Sequence, residues 1–487
     1  MRPIRVLSTS VAWLPWGAPA FARAREECRP VLLSIATTWC SGCRAMDATS
    51  YADPAIATLI NERFVPVRVD ADERPDIAER YSLGGWPTTA FLTPEGAILG
   101  GGTYVPAERM PGALERVLAA VDPGATAATV GTGTIRPATH LPPDEEIVSV
   151  ALAGFDAEHG GFGLEPKFPL VAPVRLALEL FLERGDPAHE RMVTVTLDAM
   201  GWGRLYDEID GGFFHYAGAR DWQLPQTEKL LETNATLIDL YLDAGEHLGI
   251  ARYTERAADA LRYVQNWLTE PDDGGWFASQ ASDDDYYAAS DRRHVPTPPV
   301  TALQFADANG AMVSAALHAA TRFDDEGLRA FAIRSLERVL LRGYRPGAGA
   351  AHFNDGARSV SGLLVDQVSM VAANLDAYEA TGNIVYEMMA EELATFALRT
   401  MWDEPEGGCF DRTEEGDAAI GLMRTRLKPF PVNCDFARAL RRLARTSGDA
   451  SFDDYAAAIL TAMAPLAARQ GPLAAHYLLG RRALSPR

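Results

Sequence analysis

Two cysteines three positions apart are the residues in this chain whose types and spacing most directly indicate chemistry. Cys40 and Cys43 follow Trp39 and the apolar run 31–35. An apolar strand that ends in Cys-x-x-Cys and continues as a helix is typical of dithiol redox proteins. The helix N-terminus lowers the pKa of the first thiol, and the second thiol lies one helical turn further on. The spacing therefore predicts that Cys40 attacks a disulfide and that Cys43 resolves the mixed disulfide.

The cysteine pair has two alternative interpretations. It could be half of a zinc site, but such a site needs a second ligand pair, and Cys28, Cys409 and Cys434 form no further Cys-x-x-Cys. The two cysteines could also be buried and inert, as free cysteine often is. We expect no metal and no other cofactor, and the inert pair stays open as an alternative.

The elements that must position the cysteines follow in order. Residues 64–70 are predicted to form a second strand that ends in an acidic turn, and residues 77–81 a short helix. Residues 84–92 place Pro87 at the start of another apolar strand. A last strand over 97–104 and a closing helix over 107–121 complete the predicted domain.

Several short motifs in this region resemble those of a known family. They are Trp13-Leu14-Pro15-Trp16-Gly17, the Cys40/Cys43 pair, Met46, Asp53-Pro54, Val69-Asp70, Glu73-Arg74-Pro75-Asp76, Gly84-Gly85-Trp86-Pro87 and Gly101-Gly102-Thr103-Tyr104. With them the chain resembles the bacterial YyaL-like proteins and the spermatogenesis-associated thioredoxin-domain proteins. The resemblance implies a multidomain fold, in which an N-terminal α/β thioredoxin-like domain precedes a C-terminal all-α (α/α)6 barrel of six helical hairpins. Such barrels are similar to sugar epimerases and six-hairpin glycosidases.

The resemblance also implies how the cysteines meet a substrate. Thioredoxin-like folds place a cis proline opposite the pair, so we predict a cis peptide before Pro87, with a trans proline at a strand start as the alternative. The Trp86 backbone would then pair with an extended substrate segment, and Trp39 would lie beside it. The family usually carries His-Trp between its cysteines and His after them, whereas this chain has Ser41-Gly42 and Arg44.

The rest of the chain has a different character. We predict a thioredoxin-like domain over 1–122, a Gly/Ala/Thr/Pro-rich linker over 123–145 and a helical barrel over 146–487. Glycine-aromatic turns recur between helical stretches, at Gly160-Gly161-Phe162-Gly163, Gly211-Gly212-Phe213, Gly274-Gly275-Trp276 and Gly407-Gly408-Cys409-Phe410. About twelve helices, or six hairpins, favour the barrel, and an α-solenoid or an irregular helical domain is the alternative.

The resemblance extends to polar residues that we expect at the barrel mouth. The candidate substrate-binding residues are Lys167, His215, Glu228, Asn309 and Asp366. Sugar-acting barrels use carboxylates and histidines for acid–base work. This chain departs from the family near these positions, with Gln226-Thr227 before Glu228 and Ala308 before Asn309. A structural or solvated role is therefore an alternative for each candidate.

Composition narrows the classes of partner and compartment. The chain has 487 residues, a formal net charge of −21 and no apolar stretch of membrane-spanning length. The charge argues against nonspecific binding to nucleic acid or to an anionic membrane, and the sequence predicts no membrane-spanning segment, so we expect neither nucleic acid nor a membrane as a partner. No export signal precedes the cysteines, so we expect a cytoplasmic protein in which Cys-x-x-Cys is catalytic.

Three functions follow from these observations. The first is a thiol–disulfide redox protein that acts on a protein thiol or disulfide partner, with the barrel as a docking or substrate-selecting module. The second is a carbohydrate-binding or carbohydrate-processing barrel with a regulatory thioredoxin domain. The third is a noncatalytic scaffold. We favour the redox function because the cysteine pair is locally complete.

Overall fold

The chain divides into two compact units. The computed structural model describes residues 10–120, 143–414 and 420–484. The first unit comprises Met1–Ile135 and Glu414–Arg426, and the second comprises Arg136–Thr413 and Leu427–Arg487. The predicted linker, 123–145, falls mostly outside the described residues, and the first helix of the second unit begins at Asp144. The domain boundaries stay a prediction.

The first unit alternates strands and helices around one mixed sheet. Its strands are β1 (Leu14–Pro15), β2 (Val31–Ala36), β3 (Val65–Asp70), β4 (Thr88–Leu92) and β5 (Ile98–Gly102). Its helices are α1 (Ala18–Glu26), α2 (Ser41–Ala48), α3 (Pro54–Arg63), α4 (Pro75–Tyr81) and α5 (Met110–Ala120). The strand order is β1-β3-β2-β4-β5. Strands β1, β3 and β2 run parallel to one another, and β4 runs antiparallel to both of its neighbours, β2 and β5. Hydrophobic clusters cover both faces of β2, so all six of its residues are buried.

A short segment from the C-terminal half of the chain completes the core of the first unit. It contains a 3₁₀ helix, Gly421–Arg424, whose Met423 side chain is buried in the cluster on one face of the sheet. The Tyr81 hydroxyl accepts a hydrogen bond from the Leu422 N–H (2.8 Å) and donates one to the Gly96 carbonyl (2.8 Å). Sequence analysis placed this segment in the barrel, whereas the structure groups it with the first unit.

The second unit is a ring of helical hairpins. The inner helices are α7 (Val171–Arg184), α9 (Leu231–Leu248), α12 (Ala306–Phe323), α14 (Leu364–Thr381), α16 (Phe430–Ser447) and α18 (Ala474–Leu484). Their outer partners are α8 (Pro187–Gly201), α10 (Ala251–Trp267), α13 (Glu326–Gly343), α15 (Ile384–Met401), α17 (Ser451–Ala467) and α6 (Asp144–Leu152). Each inner helix packs against the next, and α18 closes the ring by packing against α7 and α6. The predicted fold class is confirmed.

The two ends of the ring differ in their connections. At one end an inner helix passes to its outer partner through a short turn, such as the one at Gly249, where φ is 67°. A left-handed residue ends a helix with little strain when it is glycine. At the other end, longer loops precede the inner helices. These loops contain α11 (Asp284–Ala288), β6 (Tyr216–Ala217), β7 (Pro225–Gln226), β8 (Lys229–Leu230), β9 (Ser279–Gln280), β10 (Val300–Thr301), β11 (Ala351–Asn354) and β12 (Ser359–Ser361).

Candidate functional site

The cysteine pair lies where α2 begins. Cys40 and Cys43 form a disulfide with their Cα atoms 5.3 Å apart. Cys40 is the N-cap residue of α2, and its Sγ accepts a hydrogen bond from the Cys43 N–H (3.1 Å). No acidic residue occupies the first turn of α2, so the positive end of the helix faces Cys40 without a competing charge. Both cysteines are largely buried, with Cys40 6% exposed and Cys43 2% exposed.

Pro87 lies directly opposite this helix turn. The Trp86–Pro87 peptide is cis. A Cβ atom added to Gly42 would lie 3.3 Å from Pro87 Cδ and 3.9 Å from Cys40 Sγ, which shows how closely the proline approaches the cysteine loop. A side chain at position 42 would therefore be in tight contact with the proline ring. The Trp86 side chain is partly exposed, and its carbonyl oxygen lies 4.0 Å from the same added Cβ atom.

Trp39 and Arg44 brace the loop that leads to Cys40. The Trp39 Nε1–H donates to the Asp72 carboxylate (2.7 Å), and the indole is 5% exposed. The Arg44 guanidinium donates to the carbonyls of Trp39 (2.9 Å) and Thr38 (3.2 Å). Trp39 therefore holds the loop in place, and the Arg44 cation takes the position where the family usually carries a histidine.

A partly buried carboxyl group lies at the carboxyl end of β3. Asp70 pairs in register with Ala36, the last residue of β2, and accepts hydrogen bonds from the N–H groups of Asp72 (2.9 Å) and Glu73 (3.3 Å). Burial raises the pKa of Asp70 to about 6, and the two backbone N–H groups counteract part of that rise. Sequence analysis named this residue only as part of a motif.

The remaining cysteines differ from the pair in their surroundings. Cys28 is exposed, whereas Cys409 and Cys434 are buried in the barrel. Burial raises the pKa of the Cys409 thiol to about 12, and it raises the pKa of Cys434 as well. The two barrel thiols are therefore protonated at neutral pH and unreactive.

Asn309, a predicted ligand contact, has a structural role in the barrel. Its side chain is fully buried, accepts the Trp276 N–H (2.9 Å) and donates to the carbonyls of Trp276 (3.0 Å) and Phe305 (3.0 Å). We call this arrangement, in which a side-chain amide accepts the N–H of a loop residue and donates to its carbonyl, an amide clamp. The same clamp recurs on three other inner helices, at Asn234 with Phe213, Asn433 with Cys409 and Gln367 with Ala350. These clamps fix the glycine-rich turns of the loops onto the inner helices.

Lys167 also supports the fold instead of facing a ligand. Its side chain is fully buried, and its Nζ donates to the Asp156 carboxylate (2.8 Å) and to the Arg220 carbonyl (2.8 Å). Hydrogen bonds from Arg220 and then Lys167 hold the pKa of Asp156 well below its ordinary value. The same lysine–aspartate pair recurs as Lys229 with Asp207 (2.7 Å) and as Lys428 with Asp403 (2.6 Å).

A cavity of about 480 Å³ lies within the ring of inner helices. Glu232 and Asp307, in the first turns of α9 and α12, line this barrel cavity together with Arg175, Asp239 and His476. Desolvation by the surrounding barrel raises the pKa of Glu232 to about 7, and repulsion from the Asp307 carboxylate adds to that rise. Sequence analysis missed Glu232 and Asp307. Their common position, two residues before a clamp asparagine, is the signal that could have found them.

Asp366 belongs to a cluster beside this cavity. It is fully buried in the first turn of α14, and its Oδ1 lies 2.8 Å from the Nδ1 atom of His352 on β11. The same Nδ1 lies 3.8 Å from Asp307 Oδ1, and the Phe305 ring stacks on the imidazole at 4.8 Å. Burial raises the pKa of Asp366 to about 6, although His352 acts in the opposite direction. Sequence analysis named Asp366 but did not predict its partners.

His215 and Glu228 form a separate pair on the loops. His215 Nδ1 lies 3.2 Å from Glu228 Oε1, and neither residue lines the barrel cavity. The Phe168 ring stacks on Tyr216 (4.6 Å) and contacts the edge of the imidazole (5.9 Å). The predicted barrel residues therefore do not converge on one site. Asn309 lies in an amide clamp and Lys167 in a buried ion pair. Asp366 lies in the cluster with His352, and His215 and Glu228 form the loop pair.

The fold and the two sites define a class of protein. It is a thioredoxin-like domain joined to an (α/α)6 barrel. Residues 4–124 match the family Thioredox_DsbH, described as "Protein of unknown function, DUF255". Human Spermatogenesis-associated protein 20 is 32% identical over 312 residues, which cover 56% of this chain and 39% of that protein. The predicted resemblance to the spermatogenesis-associated thioredoxin-domain proteins is confirmed, and the chain spans about two fifths of the length of the curated relatives it matches.

Solved structures match the barrel. Cellobiose 2-epimerase from Bacillus thermoamylovorans B4167 aligns with a TM-score of 0.53 at 11% identity, over 65% of this chain and 84% of that chain. A glycoside hydrolase family 76 mannosidase from Bacteroides thetaiotaomicron aligns with a TM-score of 0.53 at 10% identity, over 70% of this chain and 96% of that chain. At these identities the likeness establishes the fold alone.

Proposed function

We propose that the protein is a thiol–disulfide redox protein that acts through Cys40 and Cys43. The observation that supports this most strongly is the position of the Cys40 sulfur, which caps α2 and accepts the Cys43 N–H (3.1 Å). After reduction, the same N–H and the helix dipole stabilise a thiolate at Cys40. The Arg44 guanidinium donates to the Trp39 carbonyl (2.9 Å) and so fixes the backbone directly before Cys40.

The proposed reaction is a two-electron exchange. The Cys40 thiolate attacks a substrate disulfide, so that one Cys40–substrate S–S bond forms and one substrate thiolate leaves. The Cys43 thiolate then attacks Cys40 Sγ, forms the Cys40–Cys43 disulfide and releases the second substrate thiolate. The substrate disulfide is reduced and the protein is oxidised, and the reverse sequence oxidises a substrate dithiol.

The proposed partner is a protein that presents a thiol or disulfide in an extended segment. The Trp86 carbonyl lies beside the cysteine loop, 4.0 Å from a Cβ atom added to Gly42, and backbone at that place would bind an extended chain by strand pairing. The barrel would serve as a docking or substrate-selecting module. Among the described residues, no helix combines the length and the apolar character needed to cross a membrane. A reducing cytoplasm stays our prediction for the compartment.

The experiment is a thiol-trapping titration in a Cys28→Ser background, since Cys28 is an exposed third thiol. The protein is equilibrated with glutathione mixtures, alkylated and analysed by mass spectrometry, and turnover is measured by insulin reduction. We expect reversible loss of two thiols, assigned to Cys40 and Cys43, and loss of turnover in Cys40→Ser. The matched control is Cys434→Ser, which removes a buried thiol and should leave both readouts unchanged. Failure of the parent protein to form the intramolecular disulfide would refute the proposal.

A carbohydrate-binding barrel is the second candidate function. The barrel cavity of about 480 Å³ supports it, because that volume suits a small polar ligand and carboxylates line the wall. Among the described residues, its lining contains no phenylalanine, tyrosine or tryptophan side chain, the types that usually stack on sugar rings. Titration of a panel of mono- and disaccharides tests the candidate. Binding that Glu232→Gln weakens would support it, and absence of binding across the panel would exclude it.

A further inference from the structure

Three side chains from distant parts of the barrel sequence converge beside its cavity. Asp307 lies in the first turn of α12, His352 on β11 and Asp366 in the first turn of α14. One potential ligand atom from each lies within 4.8 Å of those from the other two. The closest approach is 2.8 Å, between His352 Nδ1 and Asp366 Oδ1, and His352 Nδ1 lies 3.8 Å from Asp307 Oδ1.

The charges of this cluster are incompletely balanced. Across the part of the chain that the structure describes, no lysine or arginine forms an ion pair with Asp307 or Asp366. Asp366 is fully buried, and its Oδ2 atom makes no hydrogen bond to any described group. A buried carboxylate oxygen without a partner is unfavourable unless a cation or a donor satisfies it. This orphaned oxygen is an observation separate from the clustering of the three residues.

We propose that Asp307, His352 and Asp366 bind a divalent transition-metal cation. Two carboxylates and one imidazole are the ligand types that Mn²⁺, Fe²⁺ and Zn²⁺ accept, whereas Mg²⁺ and Ca²⁺ prefer oxygen alone. An ion with bonds of about 2.2 Å holds its ligand atoms about 3 to 4.4 Å apart. The observed separations need only small side-chain rotations to reach that geometry. This site differs from the expectation of sequence analysis that no metal would bind.

Asp307 would place the proposed metal at the wall of the barrel cavity. Asp307 lines the barrel cavity, and its side chain is 23% exposed. Three protein ligands leave at least one coordination position open, as in catalytic metal sites. That open position would face the cavity, where a hydroxyl, carbonyl or carboxylate group of a small polar ligand can occupy it. The metal would thus anchor a ligand in the barrel independently of the cysteine pair.

The test is calorimetric titration of the EDTA-treated full-length protein with Mn²⁺, followed by electron paramagnetic resonance of the complex. Mn²⁺ is chosen because the thiolates of this chain are poor ligands for it. We expect one Mn²⁺ per chain, with affinity reduced about tenfold or more in Asp307→Asn and Asp366→Asn. The matched control is His318→Gln, which breaks another histidine–carboxylate pair, to Asp239 (2.7 Å), at a histidine outside the cavity lining, and should leave the affinity unchanged.

Three results would overturn the proposal. The first is absence of Mn²⁺ and Zn²⁺ binding to the parent protein. The second is binding of equal affinity in the parent and in Asp307→Asn, which would assign the metal to surface carboxylates. Asp307→Asn keeps the test decisive if the fully buried Asp366 variant does not fold. If His352 and Asp366 form only an internal ion pair, Asp366→Asn lowers the melting temperature without changing Mn²⁺ binding, and the proposal fails.

Discussion

Replacing Asn309 with alanine tests whether this residue supports the fold or contacts a ligand. In the structure its amide makes three hydrogen bonds, two to the Trp276 backbone and one to the Phe305 carbonyl. The side chain is fully buried, so no water replaces these bonds after truncation. The Trp276 N–H and carbonyl would both lose their partner, and the turn at Gly274–Gly275 would lose its attachment to α12.

The magnitude follows from a matched residue elsewhere in the barrel. Asn374 in α14 is equally buried, but its amide donates a single hydrogen bond, to the Met370 carbonyl one turn earlier (2.8 Å). Both alanine variants lose that type of helix bond, so their difference isolates the two bonds to Trp276. Each is worth about 1 kcal/mol net, and the stranded N–H costs a further 1–3 kcal/mol or so. We expect Asn309→Ala to be about 3–5 kcal/mol less stable than Asn374→Ala.

Urea unfolding followed by circular dichroism at 222 nm measures this difference, because the barrel contributes most of the helical signal. The two variants should show similar m-values and clearly separated midpoints. If their free energies of unfolding agree within about 0.5 kcal/mol, the clamp interpretation is wrong and a ligand role for Asn309 regains support.

Two further predictions concern the first unit. Because the pKa of Asp70 is raised to about 6, the native state binds its proton more tightly than the unfolded chain, and stability falls as pH rises from about 4 to 6. Asp70→Asn should flatten that profile and gain at most about 3 kcal/mol at pH 7, and a parallel profile for both proteins in urea unfolding would contradict this. Tyr81→Phe removes the hydroxyl that joins Leu422 N–H to the Gly96 carbonyl, so we expect about 2 kcal/mol of destabilisation and faster tryptic cleavage after Arg424. The control Tyr104→Phe changes an exposed tyrosine and should be cleaved at the parent rate. If Tyr81→Phe is also cleaved at the parent rate, that role for Tyr81 is refuted.

Elements defined by local pattern could be predicted from the sequence. The Cys-x-x-Cys pair, the strand before it and Pro87 opposite it depend on residues close together in the chain. The hairpins of the barrel could be predicted for the same reason, since helical periodicity and glycine turns are local signals. Clusters built from distant residues had no such signal. His352 and Asp366 share a hydrogen bond only because a loop strand folds back onto the start of α14.

The two-part architecture and the cysteine pair follow from local patterns in the sequence, because the composition changes at the linker and spacing within a few residues decides where a helix begins and which thiol caps it. Only the tertiary structure decided the roles of the barrel residues. Lys167 and Asn309 look like ligand contacts in the sequence, yet burial and backbone hydrogen bonds make them supports for the loops. Asp307 and Asp366 meet because adjacent inner helices begin at the same end of the ring. A charge inside a closed ring needs a partner from another element, and only packing brings that partner within reach.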